Sequence, residues 1–261
     1  MMTESRAQTG LPFDGPKGPG GLSRVIITID GPAGTGKSSV ARALAARLGL
    51  DFLDTGAMYR AAAALVIEQD VDPKDMDAVC TLVANADLHF DWRVDPPAIG
   101  LGASGGYRSL GERIRDSDVT RLVSPLAGIA RLREHMVKKQ RVIAAQHPRL
   151  VTEGRDQGSV VFPDADAKFY LDASARVRAA RRADQLRKAG LEADEESLLI
   201  EIEARDQSDQ TRTEGPLVCP ADAQVIDTSY LTFDQVVDRL ERAARAKVPP
   251  LQSGPGTTGS R

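Results

Sequence analysis

Residues 31–38 read Gly-Pro-Ala-Gly-Thr-Gly-Lys-Ser, with glycine at the first, fourth and sixth positions and a lysine and a hydroxyl at the end. Glycines at that spacing let consecutive backbone N–H groups curl inward around a polyphosphate. A helix starting near Ser38 would point its positive end at the same anion. Lys37 can reach the outer phosphates, and the Ser38 hydroxyl can face Mg²⁺. The flanks fit: Val25–Ile29 is a β-branched run, and Ser38–Leu48 puts Val40, Leu44 and Leu48 on one helical face before Gly49. The pattern predicts a nucleoside triphosphate site. A guanine-reading Asn-Lys-x-Asp motif is excluded, because Asn85 is the only asparagine and Ala86 follows it. No ABC-type signature occurs either, which leaves a kinase for a small acceptor.

Other residues suit the acceptor. Asp54-Thr55-Gly56-Ala57-Met58-Tyr59-Arg60 follows a short apolar pair, Phe52-Leu53, and would start a helix near the crevice. Arg60 there fits a second phosphate, or an ordinary helix surface. Gly154-Arg155-Asp156-Gln157-Gly158 follows the strand-like Leu150–Thr152, where a doubly wound sheet binds ligands. Arg155 suits a phosphate and Asp156 a base amino group or ribose hydroxyl; a plain glycine turn with a local ion pair is the alternative. Arg205, Asp209 and Arg212 are spaced i, i+4, i+7, and Arg178, Arg181 and Arg182 are also spaced to share a helical face. Exposed helical ion pairs contribute only about 0.3–0.5 kcal/mol, a weak reason for so many arginines. Of the 34 basic residues, 26 are arginine, which fits either base composition or a demand for planar, bidentate donors.

The elements that must position these groups alternate. Strands are expected at Val25–Ile29, Phe52-Leu53, Leu150–Thr152, Lys168–Leu171 and Gln224–Ile226. Helices are expected at Ser38–Leu48, Thr55–Gln69, Asp75–Ala84, Ser174–Ala189, Glu195–Gln210 and Phe233–Ala246, with 112–146 helical but broken at Pro125. The Gly/Pro-containing stretch 87–110 reads as a small β insertion. This order predicts an α/β fold with a mainly parallel sheet and ligands at the C-terminal strand ends. Residues 1–23 and 248–261, rich in Gly and Pro, read as disordered tails around a fold spanning about 24–247.

Composition closes off other classes. The chain has 261 residues, 41% hydrophobic and 27% charged, with a net charge of −3. It has no bulk attraction for nucleic acid or anionic lipid. Two cysteines far apart and three histidines without ligand spacing argue against a disulfide framework or structural zinc. The longest apolar run, Ala61–Ile67, is far short of the about 20 residues a membrane helix needs. No secretory signal is visible, so a cytoplasmic protein is expected.

Over about 24–247 the chain resembles the bacterial cytidylate kinases. The likeness rests on Ile29-Asp30-Gly31-Pro32, Leu53–Arg60, Gly154-Arg155-Asp156, Val160–Ala165, Phe169–Ser174, Arg205-Asp206 with Asp209 and Arg212, Pro216-Leu217, Ala221-Asp222-Ala223 and Ile226-Asp227-Thr228. The resemblance implies a P-loop three-layer fold. Its core would be 24–60 and 148–247, with an inserted monophosphate-binding domain at about 61–147 and a helical lid at about 174–190. It implies phosphoryl transfer from ATP, with Mg²⁺, to CMP or dCMP. Gly31, Pro32, Ala33, Gly34, Thr35, Gly36, Lys37, Ser38 and Ser39 would bind ATP, with Ser38 on the metal and Arg178, Arg181 and Arg182 in the lid. Arg60, Arg155 and Arg212 would hold the acceptor phosphate beside Thr55 and Tyr59. Ser124, Arg133 and Asp156 would read cytosine, and Arg205 and Asp209 would hold the ribose. Lys37, Arg60, Arg155, Arg181 and Arg212 would carry the catalysis. A monomer is expected. The chain departs from the usual pattern at Gln157, where an aliphatic residue or Met is common, at Ser159 for Thr, and at Ala130 for Pro. The competing readings are an adenylate- or uridylate-type kinase and a nucleotide-gated binding module without catalysis.

Overall fold

The computed structural model describes residues 23–103 and 106–251. Five strands, β1 (Val25–Asp30), β2 (Asp51–Asp54), β6 (Arg149–Gly154), β7 (Ala167–Asp172) and β8 (Gln224–Asp227), form one sheet in the order β2-β6-β1-β7-β8. Every neighbouring pair is parallel. β1 is buried along its whole length, so both faces of a continuous apolar run must be covered. Alternate residues go to opposite sides. Val25, Ile27 and Ile29 pack with α1 (Lys37–Leu48) and α8 (Phe233–Lys247). Ile26 faces the other cluster, built on α2 (Thr55–Glu68), α3 (Met76–Asn85), α4 (Ser117–Ala127) and α5 (Ala130–Gln146). The result is a three-layer α/β sandwich.

The stretch expected to be a β insertion is an antiparallel sheet of β3 (Leu88–Asp91), β4 (Ala98–Ala103) and β5 (Gly106–Ser109). Trp92, just past β3, stacks on His147 with ring centroids 3.7 Å apart, and His147 Nδ1 lies 2.9 Å from the Asp51 carboxylate. These contacts tie the insertion to the edge of the main sheet. Two further helices, α6 (Ala175–Lys188) and α7 (Glu195–Thr211), pack on each other.

Three expectations are corrected. Pro125 does not break its helix; it sits in the last turn of α4, and the chain turns at Gly128 and Ile129 instead. Arg212 lies one residue past α7, with extended backbone, so the i, i+4, i+7 face ends at Asp209. The fold also runs beyond 247: Val248 and Leu251 are each 2% exposed and pack into the α1/α8 cluster. Arg245 holds that end by donating to the Leu251 carbonyl at 2.7 Å. The remaining tail segments, 1–22 and 252–261, lie outside the described residues. Among the described residues no helix is long and apolar enough to cross a membrane.

Candidate active site

At the C-terminal edge of the sheet, β1, β2 and β6 end side by side and release three segments into one cleft of about 690 Å³. β1 runs into the glycine-rich loop at Gly31. This residue has φ of 144°, and a Cβ there would sit 2.0 Å from the Leu171 carbonyl oxygen, so no other residue fits. Gly36 caps α1 at φ 86° with no side-chain capping bond, which leaves the first N–H groups of the helix free to face an anion.

Lys37 is 5% exposed and donates to the Pro32 carbonyl at 2.7 Å. Burial, with the Arg155 charge adding, pushes its pKa down to about 7. The Ser38 hydroxyl donates to Glu153 Oε1 at 2.8 Å. Burial, then the nearby Asp54, raises the Glu153 pKa.

Facing this loop is a group of arginines from separate elements. Arg60, on α2, donates to Asp54 at 2.8 Å. Arg155, after β6, donates to Asp209 on α7 at 2.8 Å, and Arg212 reaches the other Asp209 oxygen at 3.3 Å. Burial and then Arg155 lower the pKa of Arg205; burial and then Arg133 lower that of Arg212. Cations are thus held in one another's field. Buried Nε atoms of Arg60, Arg133 and Arg205 and one terminal nitrogen of Arg212 have no hydrogen-bond acceptor. Unsatisfied buried donors cost about 1–3 kcal/mol each, and an anion in the cleft is the ligand that would satisfy them.

Deeper in, Arg133 of α5 and Asp156 form an ion pair of 2.5 Å with side chains only 6% and 5% exposed. A buried pair of this kind is weak evidence for stability. Gly215 backs it: a Cβ there would meet Arg133 Nε at 2.1 Å. The Tyr59 ring lies 5.8 Å from the Arg133 guanidinium, and burial raises the Tyr59 pKa to about 12, so it stays a neutral phenol.

The fold therefore gathers nearly every residue singled out from the sequence. Ala33, Gly34, Thr35, Gly36, Lys37, Ser38 and Ser39 line one side of the cleft. Thr55, Tyr59, Arg60, Ser124, Arg133, Arg155, Asp156, Arg205, Asp209 and Arg212 line the other, and Arg181 closes the rim, held by Thr228. Gly31 and Pro32, also expected to bind ATP, are outside the lining. Two arginines stand apart. Arg178 is buried behind the loop and its guanidinium is engaged by the Ala173 and Ala33 carbonyls and by Asp206, so it props the loop rather than facing the cleft. Arg182 is exposed and outside the lining.

Sequence reasoning missed Glu153 and Asp30. Asp30 is 1% exposed and accepts from the N–H groups of Gln157 and Gly158 at 2.8 and 2.7 Å. Burial, with Asp156 adding, raises its pKa to about 7. The available signal was an acidic residue closing an apolar strand: the register sets Ile29 beside Glu153 and Asp30 beside Gly154.

Against known proteins, the family model described as "Cytidylate kinase" matches residues 27–246. The chain belongs to the cytidylate kinase family. It is 45% identical over 221 residues to the cytidylate kinase of Corynebacterium glutamicum, covering 85% of this chain and 93% of that one. The Corynebacterium efficiens enzyme is 45% identical over 227 residues, 87% and 96% of the two chains. That of Mycobacterium avium is 43% identical over 223 residues, 85% and 96%. The stretch matched by the family model, 27–246, spans the glycine-rich loop, the arginines facing it and the antiparallel insertion.

Proposed function

We propose that the cleft transfers the γ-phosphoryl group of ATP to CMP or dCMP, giving ADP and CDP or dCDP. The observation that carries this reading is the set of partly unsatisfied arginines facing the Lys37 loop across one cleft, in a chain of the cytidylate kinase family.

Two polyanions must meet end to end, and their repulsion is the main obstacle. Unit charges 4 Å apart interact by about 1 kcal/mol in water and about 4 kcal/mol at an effective dielectric near 20. Excluding water therefore helps only if cations come with it. Lys37 and the helix terminus hold the ATP tail, while Arg60, Arg155 and Arg212 hold the acceptor phosphate. Arg181 is the cation of the lid at about 174–190 that meets the donor, with α6 anchored at its start by Arg178, and the unit at about 61–147 closes on the acceptor. Positioning and charge compensation suffice, since phosphoryl transfer through a loose transition state asks little covalent chemistry of the protein. No general base is required: the acceptor phosphate is a dianion near neutral pH and its oxygen attacks directly.

The residues present fit a Mg²⁺ ion that arrives with ATP. The Ser38 hydroxyl and the buried Glu153 carboxylate stand together beside the loop. Among the described residues there is no cluster of three or more His, Cys, Asp or Glu to hold a metal by itself, so phosphate oxygens and water would complete the shell. When bound, the ion neutralises charge on the phosphates.

Cytosine selection follows from Asp156. Its carboxylate accepts from a 4-amino group and meets the lone pairs of a uracil O4 unfavourably. Arg133, paired with Asp156, aims its carboxylate, Ser124 adds a hydroxyl, and Arg205 with Asp209 holds the ribose. A coupled assay of ADP release with ATP and CMP, dCMP, UMP or AMP tests the reading. Turnover should be highest with the two cytidine nucleotides; preference for UMP or AMP, or tight CMP binding without turnover, overturns it.

A further inference from the structure

The segment after β6 carries Arg155 and Asp156 on its outer side, and a second set of polar groups lies behind it. Gln157 is 1% exposed and its side chain is fully engaged on both atoms. Its Oε1 accepts from the Thr152 hydroxyl at 3.0 Å, and its Nε2 donates to Gln140 Oε1 at 3.1 Å. Gln140 is itself 1% exposed and sits on α5, seven residues from Arg133. Two turns apart, these residues point to the same side of the helix. One meets Asp156 and the other meets Gln157. The backbone of the segment is anchored separately, since the Gln157 and Gly158 N–H groups both go to Asp30.

There is no room for slack in this arrangement. A Cβ on Gly154 would lie 2.9 Å from Gln157 Cγ and Nε2, so the amide is packed directly under the strand end that presents Arg155. One hydrogen bond joins the two buried amides, from Gln157 Nε2 to Gln140 Oε1. Loss of either amide leaves its partner unpaired between α5 and this segment, where the other tie is Arg141 of α5 donating to the Val160 and Val161 carbonyls.

We infer that Gln157, through Gln140, is a positioning residue for acceptor recognition: the amide pair sets how α5 lies on the β6 loop and so holds Arg133 against Asp156. This rests on the functional reading above and deepens it. Neither amide touches the nucleotide; both act through Arg133 and Asp156. The donor side should be untouched, because the backbone bonds to Asp30 do not depend on the side chain of residue 157.

The test is a double-mutant cycle in the full chain, with Gln157→Met, Gln140→Leu and both together, read by KM for CMP, KM for ATP, kcat with CMP and with UMP, and thermal midpoint. Each single variant strands one buried amide and should raise the KM for CMP about tenfold and cut the CMP-over-UMP preference, with the KM for ATP unchanged within about twofold. The double variant removes both amides, leaving only the Thr152 hydroxyl without its acceptor, and should recover most of the CMP affinity and the preference. Equal changes in CMP and ATP, a lower thermal midpoint with the CMP/UMP ratio intact, or a double variant no better than the singles would overturn the inference. If the double variant does not fold, Gln140→Leu decides, because it removes the amide–amide link and leaves the Thr152 bond in place: an unchanged KM for CMP and CMP/UMP ratio in that variant would overturn the inference. Failure of the functional reading shows separately, as absence of CMP turnover in the parent. The cycle is then run on whichever monophosphate the parent prefers, with the same criteria.

Discussion

The two walls of the cleft are built in different ways. The donor wall is local: residues 31–39 form one loop and one helix start, and Lys37 bonds within its own loop, to Pro32. The acceptor wall is assembled from α2, α4, α5, the β6 loop and α7, and its charged groups pair across long sequence separations, as Arg155 does with Asp209 and Arg133 with Asp156. A local wall needs few supporting contacts because backbone N–H groups and glycine geometry do the binding. In the assembled wall three carboxylates, Asp54, Asp156 and Asp209, pair with Arg60, Arg133, Arg155 and Arg212 and offset their mutual repulsion. The comparison teaches that damage to the donor wall should fall on turnover, and damage to the acceptor wall on affinity and selectivity.

The largest effect should come from Lys37→Ala. Loss of one preorganised cation at the transferring phosphate should lower kcat by about 10²–10³-fold, with CMP affinity by calorimetry nearly unchanged; a comparable loss of CMP affinity would erase the division between walls. Next, Arg155→Ala should raise the KM for CMP by about 10²-fold, several times more than the KM for ATP, because on the proposed reading it removes a phosphate ligand and it leaves Asp209 short of its closest partner. Asp156→Ala should act on selectivity, bringing the CMP and UMP specificity constants at least about tenfold closer. A ratio as large as the parent's would remove Asp156 from base reading.

The smallest expected effect is on stability. Asp30 has its carboxyl raised by burial from 3.8 to about 7. The native state therefore holds this proton more tightly than the unfolded chain does. The stability this provides is full below about pH 4 and is lost as the pH rises to about 7. Asp30→Asn should accordingly compare worst with the parent near pH 4 and gain on it up to neutrality in denaturant titrations. A constant difference across that range would mean that Asp30 does not titrate there.

Much of this was legible because it depends on short-range rules. The strand–loop–helix from Val25 to Leu48 and the antiparallel insertion within 87–110 both appear as expected. The errors have physical causes. Pro125 lies in the last turn of α4, so the i→i−4 bond it cannot make falls where the helix is already stopping and little helix beyond it is disturbed. The 248–251 segment reads as a Pro-rich tail, yet Val248 and Leu251 find apolar cover on α1 and α8 that composition does not reveal. Arg178 carries the same spacing as Arg181 but is turned inward by the Ala33 and Ala173 carbonyls.

Sequence by itself determined the chemistry of the donor wall, since glycines, a lysine and a hydroxyl at fixed offsets act through bonds within a few residues of one another. It also marked the acceptor arginines as candidates. Only the tertiary structure decided which guanidinium groups face the cleft, which carboxylates hold them, and that Glu153 meets Ser38 and Gln140 meets Gln157. Those pairings are set by strand order and helix packing, and the energy of a buried charge or amide depends on its neighbours in space rather than along the chain.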